Sequence, residues 1–174
     1  MTDNNPVVRD FIIPLDRYPH LQETQTIHDA VEILSQFCCG ANERLRYSTV
    51  FITNHQQQLV GKLNMQDLLV ALDARFADGQ KTGKFEGKEA EYPNLTILWE
   101  DSFFIECRKK KELFLKDLMK PITRTIKTDD SLVKALTIML HGNDQVLPVL
   151  DQDSIVGIIR LEEMFQAICA ACQL

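Results

Sequence analysis

The residues best suited to chemistry lie in two short segments that share a pattern. The first reads Gly61-Lys-Leu-Asn64-Met-Gln-Asp67, and the second reads Gly157-Ile-Ile-Arg160-Leu-Glu-Glu163. A glycine allows a ligand to approach the backbone closely, and the free amides at the start of a helix can receive an anionic group. A carboxylate at the third helical position can bind a diol. The first segment is therefore chemically suited to a ligand that carries hydroxyl and anionic groups.

The same segments also have structural interpretations. Asn64 followed three residues later by Asp67 is a variant capping box, in which Asn64 caps the helix and Asp67 reaches back to it. Arg160 could meet a phosphate, which its planar guanidinium suits, or could pair with a nearby acid at the surface. The residues leave these alternatives open, and Asp67 marks the better candidate site.

No group of residues in the sequence is typical of catalysis. Cys169 and Cys172 have the spacing of metal ligands, but they supply only two of the four ligands of a structural zinc site and end a helix among small residues. No glycine-rich phosphate loop follows a predicted strand. The histidines are dispersed along the chain: His20, His28, His55 and His141. We therefore expect a binding or regulatory protein, not an enzyme, with no metal and no required cofactor.

The composition argues against two kinds of partner, nucleic acids and membranes. The 174 residues include 19 Lys and Arg against 25 Asp and Glu, a net charge of −6, so a phosphate-backbone binder of nucleic acid is not expected. No apolar run approaches the roughly 18 residues of a membrane span. The chain starts without the features of a signal peptide, and its five cysteines are an odd number. We therefore expect a cytoplasmic protein without disulfide bonds.

The chain contains an internal repeat. Its opening segment Val8-Arg-Asp-Phe-Ile-Ile-Pro14 resembles Leu115-Lys-Asp-Leu-Met-Lys-Pro121, and residues 26–34 align without a gap with residues 131–139. Apolar residues recur at helical spacing in the aligned pair, and Thr26 and Ser131 are suited to be N-caps. The apolar positions of these two predicted helices are Ile27, Ala30, Val31, Leu34, Phe37, Leu132, Ala135, Leu136, Met139 and Leu140.

Two strands and a closing helix complete each repeat. Residues 48–53 and 59–63 correspond to residues 145–150 and 155–159, and all four runs are rich in Val, Ile, Leu and Phe, as buried strands are. A helix follows each second strand. Its apolar positions are Leu68, Leu69, Leu72 and Phe76 in the first copy and Met164, Phe165 and Ile168 in the second.

With these motifs in the same order twice, the chain resembles tandem cystathionine-β-synthase (CBS) domains, a pair called a Bateman module. The resemblance covers residues 7–76 and 114–172 and rests on Asp10-Phe-Ile-Ile-Pro14, Leu59-Val-Gly61, Asp117-Leu-Met-Lys-Pro121, Leu147-Pro-Val-Leu-Asp151 and Ile155-Val-Gly157. It implies an α/β (α+β) fold of two β-α-β-β-α units, packed sheet to sheet with pseudo-twofold symmetry. We place the first unit at residues 1–76 and the second at 114–174.

The resemblance also implies a cleft between the units that binds adenosine nucleotides or relatives, with Asp67 accepting hydrogen bonds from the ribose. Asn64 stands where the family has a hydroxyl residue, but it can still form hydrogen bonds. The implied first site consists of Lys62, Leu63, Asn64, Asp67, His20, Leu21, Thr49 and Val50. A weaker second site, where Arg and Glu replace the hydroxyl residue and the Asp, consists of Thr125, Ile126, Val146, Pro148, Arg160 and Glu163.

The insert at residues 77–113 has two parts. Residues 77–92 contain three glycines among charged residues and are predicted to be a mobile loop, and residues 95–113 are predicted to be mostly helix. Trp99 and Phe103 either pack onto the protein's own sheet or across a dimer interface, or they form a lid or a docking surface for another protein.

The resemblance implies a stand-alone regulatory module that binds AMP, ADP, ATP or S-adenosylmethionine and signals through dimer or partner contacts. The alternative is a ligand-free interaction or dimerisation scaffold with decayed nucleotide sites. We expect a homodimer because Phe165, Ile168 and Cys172 leave an apolar face at the end of the chain. The sequence does not identify an effector protein.

Overall fold

The computed structural model describes residues 6–39, 44–73, 76, 100–152 and 154–173. Within these residues the helices are α1 (Ile27–Gln36), α2 (Met65–Leu72), α3 (Glu100–Lys110), α4 (Leu132–Gly142) and α5 (Leu161–Cys172). The strands are β1 (Ile13–Pro14), β2 (His20–Gln22), β3 (Cys38–Cys39), β4 (Arg44–Leu45), β5 (Thr49–Thr53), β6 (Leu59–Asn64), β7 (Lys120–Pro121), β8 (Ile126–Lys127), β9 (Val146–Asp151) and β10 (Ser154–Arg160). No helix in these ranges has the length and apolar character needed to cross a membrane.

Two four-stranded sheets share one plan. One has the order β2-β5-β6-β7, and the other has the order β8-β9-β10-β1. In each sheet the first strand pairs parallel with the second, and the second and third form an antiparallel hairpin. All five residues of β5 are buried, as expected for a strand covered on both faces. The predicted fold of two β-α-β-β-α units is therefore confirmed.

The predicted helix caps are present. The hydroxyl oxygen of Thr26 accepts from the Asp29 amide, and the Asp29 carboxylate accepts from the Thr26 amide at 2.7 Å. The hydrogen bonds that the Thr26 amide and hydroxyl donate to the Asp29 carboxylate lower the pKa of that carboxyl. At α4, the Ser131 hydroxyl oxygen accepts from the Lys134 amide at 3.2 Å. Both caps satisfy amides that have no partner within their helix.

On α1 and α4, two of the apolar positions of the pattern are exposed. Val31 on α1 is 52% exposed, and Leu140 on α4 is 63% exposed. Each follows a position that its helix does bury, Ala30 and Met139 respectively, and adjacent helical residues point about 100° apart. The buried stripe of each helix is therefore narrower than the apolar pattern suggested, and apolar side chains remain at the surface.

The opening segment of each repeat is part of the other repeat's sheet. Strand β1 pairs with β10, which places Pro14 opposite Gly157. Strand β7 pairs with β6, which places Pro121 opposite Gly61. The two sheets are thus each completed by two residues from the other half of the chain.

The same exchange occurs in the two hydrophobic cores. Val8 is fully buried among residues of α4 and α5, and Leu115 is fully buried among residues of α1 and α2. Backbone bonds hold both segments: the Val8 amide donates to Asp130 O at 3.0 Å, and the Leu115 amide donates to Gln25 O at 2.8 Å. The division of the chain at residues 76 and 114 stays a prediction, and these contacts cross it in both directions.

Helix α3 lies in the insert, and the end of the insert contacts α1. The ring of Phe103 meets that of Phe76 edge to face, with 5.5 Å between their centres. The first amides of α1, from Ile27 and His28, donate to Leu113 O and Lys111 O, each at 3.0 Å. Phe103 thus contacts Phe76, which lies outside both sheets, and the two alternatives for this segment stay predictions. Trp99 and the loop predicted at residues 77–92 lie outside the described residues.

Glycine is needed where the exchanged strands cross the hairpins. A Cβ atom at Gly157 would collide with the Ile12 side chain and lie 2.5 Å from the backbone oxygen of Ile13. A Cβ atom at Gly61 would lie 2.6 Å from the sulfur of Met119. The first clash involves paired backbone, whereas the second involves the end of a flexible side chain.

We expect Gly157→Ala to lower the free energy of unfolding by about 3 kcal/mol and Gly61→Ala by about 1 kcal/mol, the two ends of the usual range for overpacking. The physical reason is that Met119 can change rotamer, whereas the Ile13 carbonyl cannot move without breaking β1 away from β10. Denaturant unfolding of the two variants measures the difference. Equal losses would show that the backbone clash does not set the cost.

Candidate functional site

The first candidate segment forms the predicted capping box. Strand β6 ends at Asn64, whose side-chain oxygen accepts from the Asp67 amide at 2.8 Å. Oδ2 of Asp67 in turn accepts from the Asn64 amide at 3.1 Å. Capping therefore uses one of the two carboxylate oxygens of Asp67.

The other oxygen of Asp67 faces the exchanged strand. Oδ1 lies 2.5 Å from Nζ of Lys120, and the side chains of Asp67 and Lys120 are 12% and 63% exposed. Lys120 is mostly in water, so the pair can open at little cost when another donor takes its place on the nearly buried carboxylate. The capping and binding interpretations are therefore compatible, because each uses a different oxygen of Asp67.

Lys62 joins the two halves of the molecule through a second ion pair. Its Nζ lies 2.7 Å from Oδ1 of Asp144, and Oδ2 of Asp144 accepts from Arg124 at 2.9 Å. Lys62 is also directly opposite Lys120 in the register of β6 and β7. Side chains of such a pair share one face of the sheet. The two ion pairs therefore lie next to each other.

Three residues of this cluster, Lys120, Arg124 and Asp144, were absent from the predicted site. They lie in the segments around β7 and before β9, where the repeat pattern carries no ligand signal. The alignment of the opening segments, Pro14 with Pro121, was the available clue, since an exchanged strand would bring Lys120 beside β6. We could not deduce that exchange from spacing alone.

The remaining residues of the first predicted site lie on β2, β5 and β6. Thr49 is opposite Asn64, and Val50 is opposite Leu63. Thr49 is 3% exposed, and the side chains of Val50 and Leu63 are fully buried in the core, as is most of Leu21. His20 is half-buried, and its Nδ1 donates to the Tyr18 carbonyl oxygen at 2.8 Å. Two of these residues have polar side chains. Thr49 lies on β5 opposite Asn64, and His20 lies on β2, the next strand of the sheet.

The second candidate segment is filled by its own arginine. The Arg160 side chain is 12% exposed, its Nε donates to Oε2 of Glu163 at 2.8 Å, and its Nη2 donates to Oε1. Nη1 donates to the backbone oxygen of Arg46 at 3.1 Å, and the guanidinium carbon lies 4.9 Å from the centre of the Tyr47 ring. Arg160 does pair with an acid, but in a nearly buried place between the two halves of the molecule.

An aromatic group lies beneath Arg160. The ring centres of Tyr18 and Tyr47 are 4.6 Å apart, and Phe51 and Phe37 contact these rings edge to face. The Tyr18 hydroxyl is buried and has no hydrogen-bond partner among the described residues. Burial raises the pKa of Tyr18 well above its ordinary value, and the positive charge of Arg160 opposes this only in part.

The other residues of the second predicted site lie on β8 and β9, except Thr125, which directly precedes β8. Thr125 is exposed, whereas Ile126 and Pro148 are buried. Val146 is buried and lies opposite Arg160, the position that Thr49 has opposite Asn64. The strands of the second half thus reproduce the arrangement of the first, but apart from the exposed Thr125 its side chains are buried and apolar or belong to the Arg160–Glu163 ion pair.

Comparison with known proteins gives a family-model match to one part of the chain and a similar fold for the whole of it. Residues 115–170 match the family model described as the CBS domain, and no curated protein matches the chain. The structure of the CBS-pair protein CBSX2 from Arabidopsis thaliana is 19% identical, with a TM-score of 0.64, and the similarity covers 98% of this chain and 99% of that one.

Two structures with ligands are also similar. CBSX2 in complex with AMP is 21% identical with a TM-score of 0.63, over 95% of this chain and 98% of that chain. The cytosolic domain of the Mg²⁺ channel MgtE in complex with ATP is 17% identical with a TM-score of 0.56, over 90% of this chain and 46% of that chain. At these identities the similarity shows the fold.

We expect Arg160→Lys to lower the free energy of unfolding by about 1–3 kcal/mol, because lysine cannot keep both bonds to Glu163 and the bond to Arg46. Arg9→Lys is the matched control, since Arg9 pairs with Asp129 where the two side chains are 57% and 78% exposed. We expect that control to change stability by less than about 0.5 kcal/mol. Thermal unfolding of both variants measures the contrast, and equal shifts would contradict a structural role for the Arg160 fork.

Proposed function

We propose that this protein is a regulatory module that binds an adenosine nucleotide between its two units. The match of residues 115–170 to the CBS-domain model and the similarity of the fold to that of a CBS pair support this proposal. The single observation that carries the proposal is the divided role of Asp67. One oxygen caps α2, and the other holds a mostly exposed lysine that a ligand can displace.

A ribose would take the place of Lys120 on Asp67. Its two hydroxyl groups donate hydrogen bonds, and the carboxylate of Asp67, whose side chain is 12% exposed, accepts them in surroundings where such bonds are stronger than in water. The released Lys120 is then free to contact a phosphate of the same ligand. A nucleoside phosphate thus satisfies both partners of the ion pair that it breaks.

The local charge favours an anionic ligand although the chain is acidic. The cluster has three cations, Lys62, Lys120 and Arg124, and two carboxylates, Asp67 and Asp144, so its net charge is 3 − 2 = +1. The whole chain has a net charge of −6. A locally positive cluster attracts phosphate groups even on a chain of negative net charge. This supports the choice of a nucleotide over an uncharged nucleoside.

We propose that each chain binds one such ligand. The equivalent place in the second half is taken by the Arg160 guanidinium, which is nearly buried and bonded to Glu163 and Arg46. A ligand there would have to break these bonds and expose Tyr47. S-adenosylmethionine, which is cationic at its sulfonium, fits the basic cluster less well than AMP, ADP or ATP does.

The apolar surface of α4 and α5 supports the proposed homodimer. Val133, Leu140 and Phe165 are 71%, 63% and 68% exposed, and the two helices that carry them pack against each other. Exposed apolar side chains grouped on neighbouring helices are typical of an interface. A second copy of the chain would cover this surface and would connect ligand binding in each chain to the geometry of the pair.

We expect Asp67→Asn to weaken the binding of AMP and ATP about ten- to a hundred-fold, because the charge-assisted bonds to the ribose are lost. Asp29→Asn is the matched control, since Asp29 has the same place in the capping box of α1. Both variants lose a capping carboxylate, so they share a loss of stability, and only the first loses affinity. Titration calorimetry beside melting curves separates the two effects.

The titrations also decide between the proposed function and its alternative. Nucleotide binding of equal strength in the wild type and Asp67→Asn would remove Asp67 from the site. A wild type that binds none of the four candidate ligands would favour the dimerisation scaffold, for which the filled second place around Arg160 is the supporting observation.

We expect the wild type to be a dimer at micromolar concentration and Phe165→Glu to be a folded monomer, because a charge on a 68% exposed side chain disturbs an interface without entering the core. Gln166→Glu, an exposed neighbour on α5, adds the same charge and serves as the control. Light scattering over a concentration series gives the molar mass. A monomeric wild type, or a dimeric Phe165→Glu, would contradict the proposed interface.

A further inference from the structure

The negatively charged side chain of Asp144 lies at the carboxyl end of helix α4, where a negative charge is unfavourable. Asn143 there has a left-handed backbone with φ of 52°, and the Asp144 amide donates to Met139 O at 2.9 Å, which closes the helix. The Asp144 side chain is only 10% exposed. An anion close to the negative end of a helix dipole is destabilising unless cations compensate it.

Two cations from different parts of the chain compensate Asp144. Lys62 from β6 reaches one carboxylate oxygen, and Arg124 from the segment before β8 reaches the other. The space is shaped for this contact, because a Cβ atom at Gly142 would collide with the Asp144 carboxylate and lie 2.7 Å from Nη1 of Arg124. Both oxygens of a nearly buried carboxylate are thus used for cations that lie beside the Asp67–Lys120 pair.

The first half of the chain shows that the fold does not require an acid at the position of Asp144. Asp144 precedes β9 by two residues, as Tyr47 precedes β5 by two residues. The residues between are also equivalent, since Ser48 O accepts from the Met65 amide and Gln145 O accepts from the Leu161 amide, at 2.8 and 2.9 Å. One half therefore has an aromatic ring where the other has a carboxylate between two cations.

We infer that Asp144 is an internal competitor of the ligand's phosphate groups and limits how strongly the cleft prefers a triphosphate over a monophosphate. The inference rests on the proposed nucleotide site. Lys120 is free to bind a first phosphate once a ribose has taken its place on Asp67. Any further phosphate that meets Lys62 or Arg124 must break their contacts with Asp144 and leave that carboxylate nearly buried and unpaired.

Asp144→Asn removes the competitor and keeps the cations. Asparagine has almost the same shape and is neutral, so the unfavourable charge at the end of α4 disappears. Lys62 and Arg124 have side chains that are 24% and 47% exposed, so water can reach them and the variant is expected to fold. Two unpaired cations then stand beside the proposed phosphate position.

The experiment compares AMP, ATP and inorganic tripolyphosphate by titration calorimetry on the wild type and Asp144→Asn. We expect the affinity for ATP to rise roughly tenfold or more, as for new bonds between charged groups, and that for AMP to rise less than about threefold. Asp129→Asn is the matched control, because it removes the same charge from a residue that is 78% exposed and paired with Arg9. We expect that control to leave the ratio of the two affinities unchanged.

The outcomes separate this inference from the proposed function. If nucleotides bind the wild type but Asp144→Asn leaves the ratio of ATP to AMP affinity unchanged, the competitor role is wrong and the nucleotide site stands. If nucleotides bind neither protein while tripolyphosphate binds Asp144→Asn more tightly than the wild type, the competitor role stands and the nucleotide site is wrong. Binding of no probe to either protein overturns both. Asp144→Ser repeats the test should a melting curve show that Asp144→Asn does not fold.

Discussion

The reciprocal exchange of the two opening segments is the interaction on which the rest of the structure depends. Each segment adds a two-residue strand to the other half's sheet and one fully buried side chain, Val8 or Leu115, to the other half's core. Small units bury too little apolar surface to offset the entropy of their chains. The exchange makes each half part of the other, and the glycines at the two crossings keep the backbones close enough to pair.

The same exchange builds the candidate site. Lys120 reaches Asp67 because β7 pairs with β6, and that pairing also sets Lys120 directly opposite Lys62. Lys62 in turn contacts Asp144 of the second half. A ligand that altered either ion pair would therefore alter contacts between the halves, and this is the physical route by which the proposed binding would change their arrangement.

The backbones of the two halves are equivalent, but the side chains at equivalent positions differ in their chemistry. The strand pairings and the hydrogen bonds before each closing helix are equivalent in the two halves. The side chains at equivalent places differ, with Asn64 and Asp67 in one half and Arg160 and Glu163 in the other. In the first half, one carboxylate oxygen of Asp67 contacts the exposed side chain of Lys120. In the second half, Arg160 forms a bidentate ion pair with Glu163 above the Tyr47 ring.

The sequence by itself determined the repeat, the order of helices and strands in each unit, the caps at Thr26 and Ser131, and the capping box of Asn64 and Asp67. These features depend on residues three or four apart or on apolar periodicity, which a linear pattern contains. The resemblance to CBS pairs added the expected packing of the units and the family of ligands.

Tertiary structure alone decided the partners of the charged residues. Asp67 and Lys120 are 53 positions apart in the chain, and Lys62 and Asp144 are 82 positions apart, so only strand exchange and sheet packing bring them together. Burial of Arg160 depends on Tyr47, which belongs to the other half. A charge pattern in sequence states which side chains can form ion pairs, but the contact itself requires a distance of a few ångströms, and the register of the exchanged strands sets that distance.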